Sequence, residues 1–93
     1  MTKADLVDQI ATATGLTRVE TDAVVDGVIT LVSASLVRGE RVELRGLGVF
    51  DVVERASRLG RNPSTGEAVP VPARRAVAFR PSQGLRDAVE DAA

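Results

Sequence analysis

Apolar residues recur first with a helical period. Leu6, Val7, Ile10 and Ala11 fall on one face, which predicts a helix over about 3–14. Thr2-Lys3-Ala4-Asp5 has the form of a capping box with Asp in place of Glu, and Gly15 suits the position just past the end. Thr17-Arg18-Val19-Glu20 is a second capping box, opening a helix that runs to about Arg38 and stops at Gly39. Its apolar positions, Val24, Val25, Val28, Ile29, Leu31, Val32 and Leu36, spread around much of its circumference. Such a helix is buried on several sides. A chain of 93 residues can hardly supply that cover alone, so a dimer core is expected.

After Gly39 the period changes to two. Arg41-Val42-Glu43-Leu44-Arg45 alternates and reads as a half-buried strand, and Gly46-Leu47-Gly48 as a tight turn. A second strand is expected from Val49 to about Leu59, apolar at Phe50 and Val52 and losing that character from Glu54 onward. Gly60-Arg61-Asn62-Pro63-Ser64-Thr65-Gly66-Glu67 is dense in turn formers. Val69-Pro70-Val71-Pro72 suits only an edge strand or arm, because proline donates no ladder hydrogen bond. A third strand returns over 74–80, and Pro81-Ser82 ends it and caps a short helix carrying Leu85, Ala88 and Val89. The class is α+β: two N-terminal helices, a three-stranded antiparallel sheet with a protruding β-ribbon arm, and a short C-terminal helix. Residues 1–93 read as a single domain, with a helical dimerisation base over 1–39, the sheet over 40–81 (the arm about 55–76) and the last helix over 82–93.

Charge changes this picture from a fold to a surface. The net charge is only −1. Residues 1–54 nevertheless carry −4, residues 55–86 carry seven arginines and one acid for +6, and residues 87–93 carry −3. A local excess of that size points to a polyanion. Cysteine and histidine are absent, which argues against disulfides, thiolate chemistry and the commonest metal ligand. With one lysine and no phosphate-cradling loop there is no evident acid–base pair, so no enzyme and no cofactor is expected. Aromatics are 2%, with no Trp or Tyr, so base-stacking platforms are not expected. No apolar run approaches a membrane span and no signal-peptide core opens the chain, so an intracellular protein with no membrane partner and no small-molecule substrate is expected.

The arm concentrates the candidate chemistry. Arg55 and Arg58 lie on one limb, Arg61-Asn62-Pro63 near the tip, and Arg74-Arg75 at the base of the other. A β-ribbon can follow a DNA groove, and the narrow minor groove attracts guanidinium groups. Asn62 can donate and accept at base edges. Pro63 offers an apolar ring with no N–H, able to wedge between base pairs and kink the duplex. The plain alternative is a surface turn, for which Asn-Pro-Ser-Thr-Gly is also a good sequence. Solvated arginines that protect an exposed edge are the matching reading of the charge.

Over nearly its whole length the chain resembles the bacterial HU/integration host factor family of histone-like DNA-bending proteins. The matching segments are Gly46-Leu47-Gly48-Val49-Phe50, Gly60-Arg61-Asn62-Pro63-Ser64-Thr65-Gly66 and Ala78-Phe79-Arg80-Pro81. The stretch from Pro72 to Pro81 is more similar to the alpha subunit of integration host factor than to HU. The resemblance implies an intertwined dimer at the bacterial nucleoid, in the cytoplasm, whose two arms embrace the minor groove of double-stranded DNA, with Pro63 intercalating. It places Arg55, Arg58, Arg61 and Asn62 on the arm, and Arg74, Arg75, Arg80, Gln83 and Arg86 on the saddle and flank. Gly46 and Gly48 would offer N–H groups to phosphate, although the turn is their default role. Lys3 joins the expected DNA contacts and can also pair with Asp26. The shared core is expected to hold Val28, Val32, Leu36, Leu44, Leu47, Phe50 and Phe79.

The chain departs from the family pattern at Val53, Leu59 and Gln83, where a basic residue is common or frequent, and at Leu47, where an aromatic is usual. Weaker, more salt-sensitive flank contacts are expected. The leading expectation is a DNA-bending, DNA-compacting architectural homodimer. The alternative is a divergent subunit acting mainly as a protein partner in a heterodimer, with weak DNA binding of its own.

Overall fold

The computed structural model describes residues 1–92. Each helix starts where the sequence supplies an acceptor for its free N–H groups. α1 (Lys3–Thr14) begins at Thr2, whose hydroxyl accepts from the Asp5 N–H at 3.2 Å, while the Asp5 carboxylate accepts from the Thr2 N–H at 2.9 Å. α2 (Arg18–Val37) repeats the device at Thr17 and Glu20, both bonds 3.1 Å long. Two otherwise unpaired donors are satisfied reciprocally in each case. The Thr2 N–H, then its hydroxyl, holds the Asp5 carboxyl below the usual carboxylate range. The Thr17 side chain, then its N–H, does the same for Glu20. α3 (Gln83–Asp91) is capped by Ser82, whose hydroxyl accepts from the Leu85 N–H at 3.2 Å.

Five strands lie between α2 and α3: β1 (Val42–Leu44), β2 (Gly48–Arg55), β3 (Arg58–Arg61), β4 (Ala68–Val71) and β5 (Arg74–Pro81). β1, β2 and β5 form the expected three-stranded antiparallel sheet with β2 in the middle. One expectation needs correction. The second strand does not run unbroken to Leu59; its ladder ends at the pair Arg55 and Arg74 and resumes at Arg58 and Val71. The cause is on the opposite limb, where Pro72 has no N–H to continue the ladder. The arm is therefore a separate two-stranded ribbon, β3 with β4, joined to the body by two-residue gaps on both limbs.

The body is thin. α1 and α2 close over Val7, Thr21 and Val25, and the Thr21 hydroxyl donates to the Thr17 carbonyl at 2.8 Å. Ion pairs hold the same two helices together: Lys3 with Asp26 at 2.5 Å and with Asp22 at 3.4 Å, and Arg18 with Asp8. On the sheet, Phe50 faces Phe79 across the ladder with ring centroids 4.8 Å apart, tilted by 40°. Much of the remaining apolar surface is open. Leu31 is 71% exposed, Val28 51% and Phe79 42%. The accessible surface is 7325 Å², whereas a compact monomer of this size exposes roughly 5,200 Å². The radius of gyration is 18.7 Å, against about 12 Å for a compact domain of this length. The long axis of 58 Å belongs to a chain whose arm projects and whose apolar helix face lacks a cover within one copy.

Candidate nucleic-acid interface

The arm tip is shaped by polar groups that bond one another. The Asn62 N–H donates to the Glu67 carbonyl at 2.9 Å and the Gly66 N–H to the Asn62 carbonyl at 2.7 Å. The Asn62 side-chain oxygen accepts from the Ser64 N–H at 2.9 Å, spanning Pro63 in an Asx turn. The Thr65 hydroxyl accepts from the Glu67 N–H at 3.3 Å, and Arg61 donates to the Gly66 carbonyl at 3.1 Å. Pro63 thus sits exposed in a loop whose shape is already fixed, so little conformational entropy is lost when it is pressed against a ligand. The bond from Ser64 occupies the Asn62 oxygen, leaving its amide N–H groups for an acceptor outside the loop.

Strand geometry distributes the cations. Side chains alternate between faces, so Arg58 and Arg61, three residues apart, lie on opposite faces of the ribbon. At the root of the arm Arg55 and Arg74 are direct cross-strand partners. Like charges placed opposite each other repel, and a phosphate between them relieves that repulsion. Glu54, Arg55, Ala56, Ala73, Arg74 and Arg75 line a cleft at this root.

Other expected contacts sit in more particular surroundings. Arg80 is held by Asp51 at 3.4 Å, a diagonal neighbour on β2. Arg75 donates to the Val37 carbonyl at the end of α2. Gln83 donates to Asp87 at 2.8 Å, and Arg86 is exposed on α3. Lys3 is held on α2, where the hydrogen bond to Asp26, then the charge of Asp22, raises its affinity for a proton. Gly46 is exposed, whereas Gly48 is buried against Phe79, Arg80 and Pro81. The Ser82 N–H donates to the Leu47 carbonyl at 2.9 Å and its hydroxyl to the Gly46 carbonyl at 3.2 Å, which fixes α3 beside the turn. Sequence reasoning missed the Asp51 and Val37 contacts. Strand register could have suggested the first; nothing local signals the second, which joins positions 38 residues apart.

Comparison with known proteins agrees with this geometry. The family model described as bacterial DNA-binding protein matches residues 1–90. The chain belongs to the HU/integration host factor family of bacterial DNA-binding proteins. Among its HU/integration host factor relatives, the alpha subunit of integration host factor from Marinomonas sp. (strain MWYL1) is 43% identical over 91 residues, covering 98% of this chain and 93% of the relative. DNA-binding protein HU of Streptococcus mutans is 47% identical over 88 residues, covering 95% and 97%. The solved HU–DNA cocrystal structure from Anabaena superposes with a TM-score of 0.87 at 36% identity, covering 96% of this chain and 97% of that one. HU from Thermotoga maritima, at 22% identity and a TM-score of 0.68, covers 96% and 98% and shares the fold.

Proposed function

We propose that this chain is a histone-like architectural protein that binds double-stranded DNA as a dimer and bends it. The observation that carries the reading is the ribbon of residues 58–71, which projects from the body, bears Arg58 and Arg61, is flanked at its root by Arg55, Arg74 and Arg75, and ends in an exposed, pre-shaped Pro63. The Anabaena HU relative was solved with DNA, and its chain superposes on nearly all of this one. In this reading the two arms enter the minor groove, Arg55, Arg58, Arg61 and Arg74 meet phosphates, and Pro63 wedges between base pairs. Arg80, Gln83 and Arg86 flank the wrapped duplex. The reading as a protein-interaction subunit with weak DNA binding is not favoured.

The open apolar face of α2 and the half-exposed Phe79 support a shared core built by two copies, with Val28, Val32, Leu36, Leu44, Leu47 and Phe50 joining them. A homodimer is the form proposed, and relatedness to a subunit of integration host factor makes a heterodimer with a related chain the second form. In this reading the chain acts at the nucleoid as one unit of base, sheet and arm, the last residue of the expected 82–93 helix lying outside the described residues. No helix of the described residues is long and apolar enough to cross a membrane. The family is one of DNA-binding structural proteins, and the proposal gives this chain neither a catalytic role nor a cofactor.

Ring closure of a short linear duplex by ligase tests the bending. The protein should speed closure, and Pro63→Ala should abolish most of that gain while weakening binding less. Closure that is equally fast with Pro63→Ala would remove the wedge from the mechanism.

A further inference from the structure

Arg75 stands on β5 one residue inside the last rung of the body ladder, where Arg74 pairs with Arg55. The four residues beyond that rung, Ala56 and Ser57 on one limb and Pro72 and Ala73 on the other, make no ladder pairs. They form the joint at which the arm leaves the body. Because side chains alternate along a strand, Arg74 and Arg75 project from opposite faces. Arg75 is on the α2 side, over a hollow lined by Leu36, Val37, Val52 and Val77.

Its guanidinium crosses that hollow to the end of the helix. Nη2 lies 3.4 Å from the carbonyl oxygen of Val37, the last residue of α2. It also lies 3.4 Å from the place a Cβ on Gly39 would take, an ordinary van der Waals distance, so the guanidinium packs beside a helix end whose glycine is there for its φ of +80°. The direct cross-strand partner of Arg75 is Glu54, a carboxylate, yet the bond formed is to the helix end. The electrostatics explain this choice. A helix C-terminus carries unpaired carbonyls and a partial negative charge. The last turn of α2 contains no basic residue of its own, and the Arg38 that follows is bonded to Glu40 and Ser35.

We propose that Arg75 is a positioning residue: a strut that fastens the root of the arm to the C-terminal end of α2 and sets the angle at which the arm leaves the body. This rests on the reading of the arm as the DNA-embracing element. Arg74 and Arg75, adjacent and chemically identical, then have different work, Arg74 on phosphate and Arg75 on the protein.

Two measurements on the full chain test the strut. The first is the slope of log affinity for a duplex against log salt, compared among the wild type, Arg74→Ala and Arg75→Gln. Loss of one phosphate contact per protomer lowers the slope by about 0.9, or about 1.8 per dimer. Arg74→Ala should show that loss. Arg75→Gln removes the charge but keeps N–H donors for the Val37 carbonyl, so its slope should match the wild type. A slope reduced as far as in Arg74→Ala would make Arg75 a phosphate contact and overturn the proposal. The second is amide hydrogen exchange without DNA. Arg75→Ala should speed exchange over 53–55 and 74–77 and leave α1 unchanged. Uniform acceleration along the chain would mean general stabilisation and would also overturn it. If Arg75→Ala does not fold, Arg75→Gln decides through the salt slope. Should the wild type itself bind no DNA, the proposed function fails, and the exchange pattern still decides the strut.

Discussion

Replacing Gly48 by alanine tests how the turn before β2 and the end of β5 are held together. Gly48 has φ +155°, and a Cβ there would stand 2.3 Å from the Arg80 carbonyl oxygen, 2.8 Å from Phe79 Cε1 and 2.9 Å from Pro81 Cα. Two of these three atoms are backbone, so no side-chain rotation relieves the clash; β5 must move away. Overpacking of this kind costs about 1–3 kcal/mol, and the positive φ adds about 1–2 kcal/mol. Gly46, two residues earlier, is the internal control. It also has positive φ, at +90°, but an added Cβ meets nothing within 4 Å. Gly46→Ala should therefore lose only the backbone part. Urea unfolding followed by circular dichroism measures both, at one fixed protein concentration because dissociation is coupled to unfolding. With a slope of about 2 kcal/mol per molar urea, the Gly48→Ala midpoint should fall by about 1–2.5 M and the Gly46→Ala midpoint by about 0.5–1 M. Equal shifts for the two variants would show that close packing against β5 is not what requires glycine at 48.

Three further outcomes follow from the same contacts. Val28→Asp places a charge on the open face of α2 and should give monomers or unfolded chain in sedimentation equilibrium; a stable dimer would place the shared core elsewhere. Asp51→Asn releases Arg80 from its exposed ion pair, worth less than about 1 kcal/mol to the fold. Filter binding should show tighter DNA binding with a nearly unchanged melting temperature. The pH profile of melting has a sign at each end. Asp5 and Glu20 titrate below their ordinary values of 3.8 and 4.5 in the folded chain, so their contribution is present above those values and is lost as pH falls through the folded ones. Lys3 is raised above its ordinary 10.5, so its contribution is present below that pH and is lost as pH rises through the folded value. With no histidine, the melting temperature should form a plateau between these limits, and a step near pH 6–7 would contradict the assignment.

These contacts also separate what the chain order determines from what the fold decides. The helix starts at Thr2, Thr17 and Ser82 were legible because capping is local: donor and acceptor lie three residues apart. The turn at the tip was legible for the same reason, since Asn62, Pro63, Ser64 and Gly66 shape it among themselves. The excess of arginine over 55–86 needs only counting. The open apolar circumference of α2 was readable as period and composition, and it predicts a partner without naming its geometry.

Tertiary structure alone decided where Arg75 and Arg80 go. Arg80 meets Asp51 because β5 pairs with β2 in one register, and Arg75 reaches Val37 because the sheet packs its root against the end of α2. The break in the arm follows from the same cause: Pro72 interrupts a ladder whose other strand, at Ala56 and Ser57, carries no sign of it. Sequence patterns report the local half of a hydrogen bond or an ion pair. When the other half is supplied by a residue brought near only through folding, the identical side chains of Arg74 and Arg75 become distinguishable by position alone.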